Sequence, residues 1–359
     1  MSAIAGVRGV LPDHVYRQED ITEVLGRVVL GSSNDRPEKR NLLGRLHGAA
    51  GVRTRHLVLP LEAYEDLGGF GASNDVFIDA GARLGEQAVR AALDAAGLVP
   101  QDVDLLMTTT VTGVAAPSLD ARLVSRLGLR HDVKRIPVFG LGCVAGAAGI
   151  ARLHDVLRGD PDGVAVLLSV ELCSLTFQKD DDSTANLVSS GLFGDGAAAV
   201  VMVGERRARA MGLDSAPRVV DTRSRFYPDT ERVMGWDIGG SGFRIVLAAT
   251  VADVVKAHLR DDVDGFLDEH GMKVADVDTW VAHPGGPKVI AAIVDSLDLE
   301  PGALDVTRRS LAAIGNLSSS SVLHVLERTL ADVPPAPGTP GVLLAMGPGF
   351  CAELVLLRW

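Results

Sequence analysis

The chain repeats itself at half its length, and no other feature constrains its fold as tightly. Gln101–Thr110 (QDVDLLMTTT) and Ala275–Pro284 (ADVDTWVAHP) lie 174 residues apart. Each follows an apolar/polar segment of helical period, Ala80–Gly97 and Val246–Gly271, that stops at a glycine as a helix C-cap does. Phe139–Val156 and Ala312–Leu330 form a second pair, offset by 173 residues. Both run from a glycine through one polar residue and several small ones into an amphipathic helix. Two buried apolar strands, GVAVLLSVEL from Gly163 and GVLLAMG from Gly341, complete the unit at an offset of 178, stretched by the Pro-rich loop Val333–Gly341. Two strand–helix–strand copies with continuous apolar strands predict a duplicated α/β/α/β/α layered fold about a pseudo-twofold axis. The halves divide at residues 1–216 and 217–359.

Composition narrows the class. At 359 residues the chain exceeds what one hydrophobic core usually holds. With 47% apolar and 23% charged residues it reads as globular, and a net charge of −11 provides no basic stripe for nucleic acid. Three cysteines, Cys143, Cys173 and Cys351, exclude a disulfide framework and point to a reducing compartment. The N-terminus lacks signal-peptide character and the apolar runs are too short to span a bilayer, so a cytoplasmic location is expected. No metal-spaced His/Cys cluster, phosphate loop or dinucleotide fingerprint occurs, so no metal or redox cofactor is expected.

Superposing the repeats pairs Cys143 with Asn316 and Thr109 with His283, which turns three distant residues into one candidate cluster. Cys143 lies in Gly140-Leu141-Gly142-Cys143-Val144-Ala145-Gly146, between a predicted strand, Pro137–Leu141, and a helix. Glycines there permit a tight turn, and a helix N-terminus favours the thiolate. Alone, Cys143 reads first as a small buried hydrophobe, the usual fate of a free cysteine, and the glycine context and the repeat turn the reading to a nucleophile. His283 ends the predicted strand Val277–Ala282, and strand C-termini are where α/β proteins place catalytic groups. The other histidines, such as His154 and His270, read as surface residues. Asn316 reads as an N-cap by itself, yet its amide beside an imidazole would also bind a developing enolate oxygen.

The set Cys143–His283–Asn316 resembles the thiolase-fold condensing enzymes, specifically the type III polyketide synthases (chalcone-synthase-like). The motifs that carry the resemblance are GLGCVAGA, ELCSLTF (Glu171–Phe177), GLFGDGAAAV (Gly191–Val200), AHPGGPK (Ala282–Lys288), IGNLSSSS (Ile314–Ser321) and AMGPG (Ala345–Gly349). The resemblance implies that Cys143 takes an acyl starter from CoA, while His283 and Asn316 hold the malonyl-CoA carbonyl as CO₂ leaves. Iterative condensation onto an acyl-CoA starter and closure to a pyrone- or resorcinol-type product would follow, in a homodimer. It also implies that Phe193 and Phe243 gate the CoA tunnel and that Thr112, Thr176, Ser318, Cys173 and Met234 line the cavity. Gly347, Pro348 and Gly349 would shape it. The CoA phosphates would fall to Arg45, with Arg53 and Arg55 as nearby candidates. The family's Gly-Phe-Gly-Pro-Gly loop reads Ala345-Met346-Gly347-Pro348-Gly349 here, and the methionine that plant enzymes project into the partner subunit corresponds to Ala116.

The alternative within the fold is a ketoacyl synthase III, which condenses once on a carrier protein. Its histidine motif continues Gln-Ala-Asn, whereas this chain has His283-Pro284-Gly285-Gly286. A thiolase would need a second catalytic cysteine, and Cys351 begins a predicted buried strand. A papain-like protease would have disulfides and a tryptophan after the nucleophile.

Overall fold

A computed structural model describes residues 1–30 and 36–359. In chain order its strands are β1 (Ser2–Val10), β2 (His14–Arg17), β3 (Thr54–Leu57), β4 (Leu105–Thr110), β5 (Lys134–Phe139), β6 (Val164–Leu172), β7 (Asp195–Val203), β8 (Arg218–Phe226), β9 (Met234–Gly239), β10 (Gly242–Leu247), β11 (Thr279–Ala282), β12 (Pro340–Gly347) and β13 (Cys351–Arg358). Nine of them form one sheet in the order β11-β12-β13-β8-β1-β7-β6-β4-β5; β9–β10 and β2–β3 are separate hairpins.

The repeat is written into the pairing. In the first half β4 runs parallel to β6, β6 antiparallel to β7, and β7 antiparallel to β1. In the second half β11–β12, β12–β13 and β13–β8 repeat those three relations in order. Within the sheet the halves join where Ser2 and Ala3 of β1 pair with Val219 and Arg218 of β8.

Both sheet faces are covered, which is why strands such as β6, β7 and β12 are apolar at nearly every position. On β6, Val166, Leu168 and Val170 face an outer core shared with the Phe70–Ala96 helix, while Ala165 and Leu167 face a central core. On β12, Val342 and Leu344 face the other outer core, packed on the Val251–Asp268 helix, while Leu343 and Ala345 face the same central one. The central core is filled by two helices, Ala145–Gly159 from the first half and Ser321–Asp332 from the second. Their first turns are in close approach: a Cβ on Gly146 would sit 2.4 Å from the Ser319 carbonyl oxygen. Among the described residues no helix is long and apolar enough to cross a membrane.

Several elements depart from the sequence reading. The helix expected over Val246–Gly271 begins at Val251, because Ile245, Val246 and Leu247 pair with Trp236, Gly235 and Met234 in the β9–β10 hairpin. The helix expected over Ala80–Gly97 starts ten residues earlier, at Phe70, and ends at left-handed Gly97 as expected. The strand before Cys143 is β5, displaced toward the N-terminus from its predicted bounds, and the strand before His283 is β11, which ends at Ala282 as predicted but starts at Thr279. The repeat is also incomplete. A helix, Asp305–Ile314, leads into Asn316 where a strand, β5, leads into Cys143. His154 is not a surface residue. It is buried, with Nδ1 2.9 Å from Ser2 Oγ, and His47 and His324 are buried as well.

Candidate active site

Cys143 sits in a short 3₁₀ turn, Gly142–Val144, that feeds directly into the Ala145–Gly159 helix. Gly142 has φ +58°, and a Cβ there would lie 2.6 Å from Pro348 Cδ, so only glycine admits both the turn and the loop behind it. Asn316 occupies the corresponding place before a second 3₁₀ turn, Ser318–Ser320, and the Ser321–Asp332 helix. Because those two helices share the central layer, both turns open at the same end of the molecule. His283 follows β11, its N–H bonded to the Leu344 carbonyl at 2.9 Å.

All three residues line one narrow cavity with about 30 Å³ of open space, the share of a single water. Its walls are mainly apolar: Leu192, Phe193, Met234, Leu247, Met346 and Phe350 among others. The Cys143 thiol lies 3.6 Å from Ser318 Oγ, a residue of the other half. Burial pushes the thiol up to about 12, the Ser318 hydrogen bond opposes that, and the Glu171 carboxylate adds to it. The expectation from the helix N-terminus, a lowered thiol pKa, is therefore overridden by desolvation in the closed cavity. Burial likewise holds His283 neutral, with its pKa lowered to about 3. Neither ring nitrogen of His283 has a hydrogen-bond partner among the described residues. Two open polar atoms cost roughly 1–3 kcal/mol each, and a ligand oxygen would recover that.

Asn316 serves its turn and the cavity at once. Its Oδ1 accepts from the Ser318 N–H at 2.8 Å and from Ser321 Oγ at 3.3 Å. The acceptor side is thereby occupied, which leaves the Nδ2 amide as donor. Neutral His283 and the Asn316 amide can stabilise oxygen-centred negative charge without an acidic proton nearby. Cys143 can supply the nucleophile.

The other expected site residues divide among neighbouring cavities. Phe193 and Met234 line the cavity of the trio. Phe193 also borders a second cavity, which holds Cys173 and Thr176. Phe243 and Thr112 line a third, larger cavity of about 320 Å³ that shares Tyr64, Ser174 and Phe177 with the second. Gly347 and Pro348 pack behind the Cys143 turn, and Gly349 packs on Phe226. Arg45 is exposed, and Arg53 lines a surface cleft with Arg17 and Gly48. Arg55 departs from its expected place among CoA-phosphate ligands. It is 2% exposed, and its guanidinium is bonded to Gln18 Oε1 and the Phe193 carbonyl, so it cannot reach a phosphate at the surface.

Sequence reasoning missed Glu171, although it stands in a quoted motif. Its buried carboxylate accepts from Val111 N at 3.1 Å, Thr112 Oγ1 at 3.0 Å, Thr110 Oγ1 at 3.3 Å and Ser319 Oγ. Burial nevertheless pushes it up to about 7. The signal was present: one carboxylate inside a strand that is otherwise apolar but for Ser169.

Comparison with known proteins bears on this arrangement. Residues 2–206 match the family model described as chalcone and stilbene synthases, N-terminal domain, and residues 218–359 match the corresponding C-terminal domain. A 1,3,6,8-tetrahydroxynaphthalene synthase of Streptomyces peucetius subsp. caesius is 58% identical over 359 residues, covering 100% of this chain and 93% of that one. A phloroglucinol synthase of Pseudomonas fluorescens is 30% identical over 100% of this chain and 99% of its own. The crystal structure of the 1,3,6,8-tetrahydroxynaphthalene synthase of Streptomyces coelicolor, a bacterial type III polyketide synthase, superposes with a TM-score of 0.90 at 30% identity, covering 99% of each chain.

Proposed function

Since this chain belongs to the chalcone and stilbene synthase family and is a type III polyketide synthase of thiolase fold, we propose that it builds 1,3,6,8-tetrahydroxynaphthalene from malonyl-CoA. The 58% identity across the whole chain to a synthase of that product carries the reading. The chemistry is consistent with it. A chain built from two-carbon units bears a carbonyl on every second carbon, so its rings close with hydroxyls meta to one another. Tetrahydroxynaphthalene is two such resorcinol-patterned rings fused, and phloroglucinol, named for another relative, is one ring of the same pattern. Ten skeletal carbons equal five two-carbon units, a count that malonyl-CoA meets as starter and extender alike. Both relatives are named for products of several units, against a single condensation on a carrier protein.

The roles proposed for the trio follow from its protonation. The thiol of Cys143 attacks the starter thioester, its proton leaving with the CoA thiol by way of His283. A malonyl-CoA carbonyl then takes hydrogen bonds from His283 and Asn316, and loss of CO₂ places charge on that oxygen. Imidazole kept neutral by burial donates a hydrogen bond but does not quench the carbanion, which attacks the Cys143 thioester. Arg45 and Arg53 are the exposed cations suited to the CoA phosphates. CoA thioester substrates and three unpaired cysteines favour the cytoplasm. β5 ends the sheet, with exposed Phe139 and Val114 beside it, and a second copy pairing there across a twofold would give the homodimer.

Incubation with malonyl-CoA alone, followed by mass spectrometry, tests the reading. It expects tetrahydroxynaphthalene and its oxidation products from the wild type and none from Cys143→Ala. Release of only shorter products, or a requirement for another acyl-CoA, would overturn it.

A further inference from the structure

Phe193 lines both the cavity of the trio and a second one, with about 40 Å³ of open space and Arg55, Cys173, Thr176, Ser189 and Trp236 in its wall. Arg55 is sealed from solvent there, and burial lowers its pKa only to about 10, so it stays charged. Its Nε donates to Gln18 Oε1 at 3.1 Å and one terminal nitrogen to the Phe193 carbonyl at 2.7 Å. The other terminal nitrogen, equally buried, has no partner among the described residues.

The surroundings do not supply one. Asp195, the carboxylate whose charge Arg55 feels, is committed to Val58 N, Ser174 N and Ser174 Oγ. Burial pushes Asp195 up to about 6, against the opposing pull of Arg55. The hydroxyls of Ser189, Ser190 and Thr176 stand in the same wall, and none of them accepts from this nitrogen. A buried guanidinium with an open donor suits an anionic oxygen, above all a carboxylate. The open space is little more than one water's share of roughly 30 Å³, so the ligand must be a small terminal group.

We propose that Arg55 is a specificity-determining residue that binds the free carboxylate of the malonyl starter as it is loaded on Cys143. The inference rests on the reading that malonyl-CoA is the starter. In loading, the Cys143–acyl bond forms as the CoA–acyl bond breaks, the thiol proton leaves with CoA, and the distal carboxylate is untouched. A short acyl group with a carboxylate tail fills the open donor, whereas an uncharged tail leaves it buried and unpaired. Pairing with Arg55 also holds the carboxylate's charge in place, which opposes its loss as CO₂ during loading.

Succinyl-CoA and butyryl-CoA provide the test, since they share a four-carbon chain, differ in the terminal carboxylate, and neither is a β-carboxyl thioester that decarboxylates. Intact-mass spectrometry of the wild-type enzyme should show Cys143 loading at least about tenfold faster from succinyl-CoA, a difference of about 1.4 kcal/mol. Arg55→Met should erase that preference and Arg55→Lys should keep part of it. Equal wild-type rates overturn the proposal, and so does an Arg55→Met protein in which both rates fall in the same proportion. The wild-type comparison stands even if Arg55→Met does not fold. If malonyl-CoA alone yields no product while the succinyl preference persists, the starter assignment fails and the carboxylate site remains.

Discussion

The turns that carry Cys143 and Asn316 are built to one plan and loaded with different chemistry. Each passes from a left-handed glycine region through a 3₁₀ turn into a helix of the central layer. The Cys143 turn spends its side chain outward, its sulfur touching Ser318 of the opposite turn. The Asn316 turn first spends its side-chain oxygen on itself, through Ser318 N and Ser321 Oγ, and offers only the amide nitrogen. Duplication therefore supplied two equivalent positions in one cavity, and the proposed roles divide the two halves of a condensation between them. In that proposal one forms the covalent bond and the other stabilises charge.

Separating those halves gives the largest expected effects. Cys143→Ala should abolish acyl-enzyme and product, by more than about a thousandfold, yet still release CO₂ from malonyl-CoA. Asn316→Ala should still load acyl groups by intact mass while losing roughly 10²–10³ in decarboxylation. Loss of both activities in either variant would break the division. His283 is expected to serve both, so His283→Ala should depress loading and decarboxylation together, by about a hundredfold each in stopped-flow and CO₂-release assays.

A finer probe lies between the turns. Ser318→Ala removes the hydrogen bond that opposes the upward shift of the Cys143 thiol. Loading should slow by about fivefold, the equivalent of about 1 kcal/mol, with decarboxylation unchanged.

The smallest expected effect is a matter of stability and pH. Glu171, under both turns, is raised from 4.5 to about 7, so the folded protein holds a proton that the unfolded chain releases. The stability this group confers is complete below about pH 4.5 and is lost as pH rises through 7. Thermal melts of Glu171→Gln should lack that component, so the Tm gap between variant and wild type should move in the variant's favour from pH 5 to pH 8. A gap independent of pH would mean that the carboxylate stays ionised throughout.

Much of this was legible in the residues because the repeat converts distance along the chain into proximity in space. The apolar strands β6, β7, β12 and β13, the helix caps and the Cys143–His283–Asn316 set all follow from local pattern plus duplication. Where the reading erred, periodicity was ambiguous or burial was decided from afar. Ile245-Val246-Leu247 fits a helix start as well as a strand until its partner Met234–Trp236 is known. His154 carries the neighbours of a surface residue and is buried by β1 of the same half.

Sequence alone determined the duplicated layers and the grouping of Cys143, His283 and Asn316, which the fold brings to one cavity, since both depend on spacing that one chain records. Only the tertiary structure decided charge. The thiol of Cys143 and imidazole of His283 are neutral because a cavity assembled from both halves excludes water, and no local motif encodes that exclusion. The same cause moved Arg55 from a surface expectation to an inner wall. Its stem packs on Gly194 and Gly315, 121 residues apart in the chain, and only folding sets that depth.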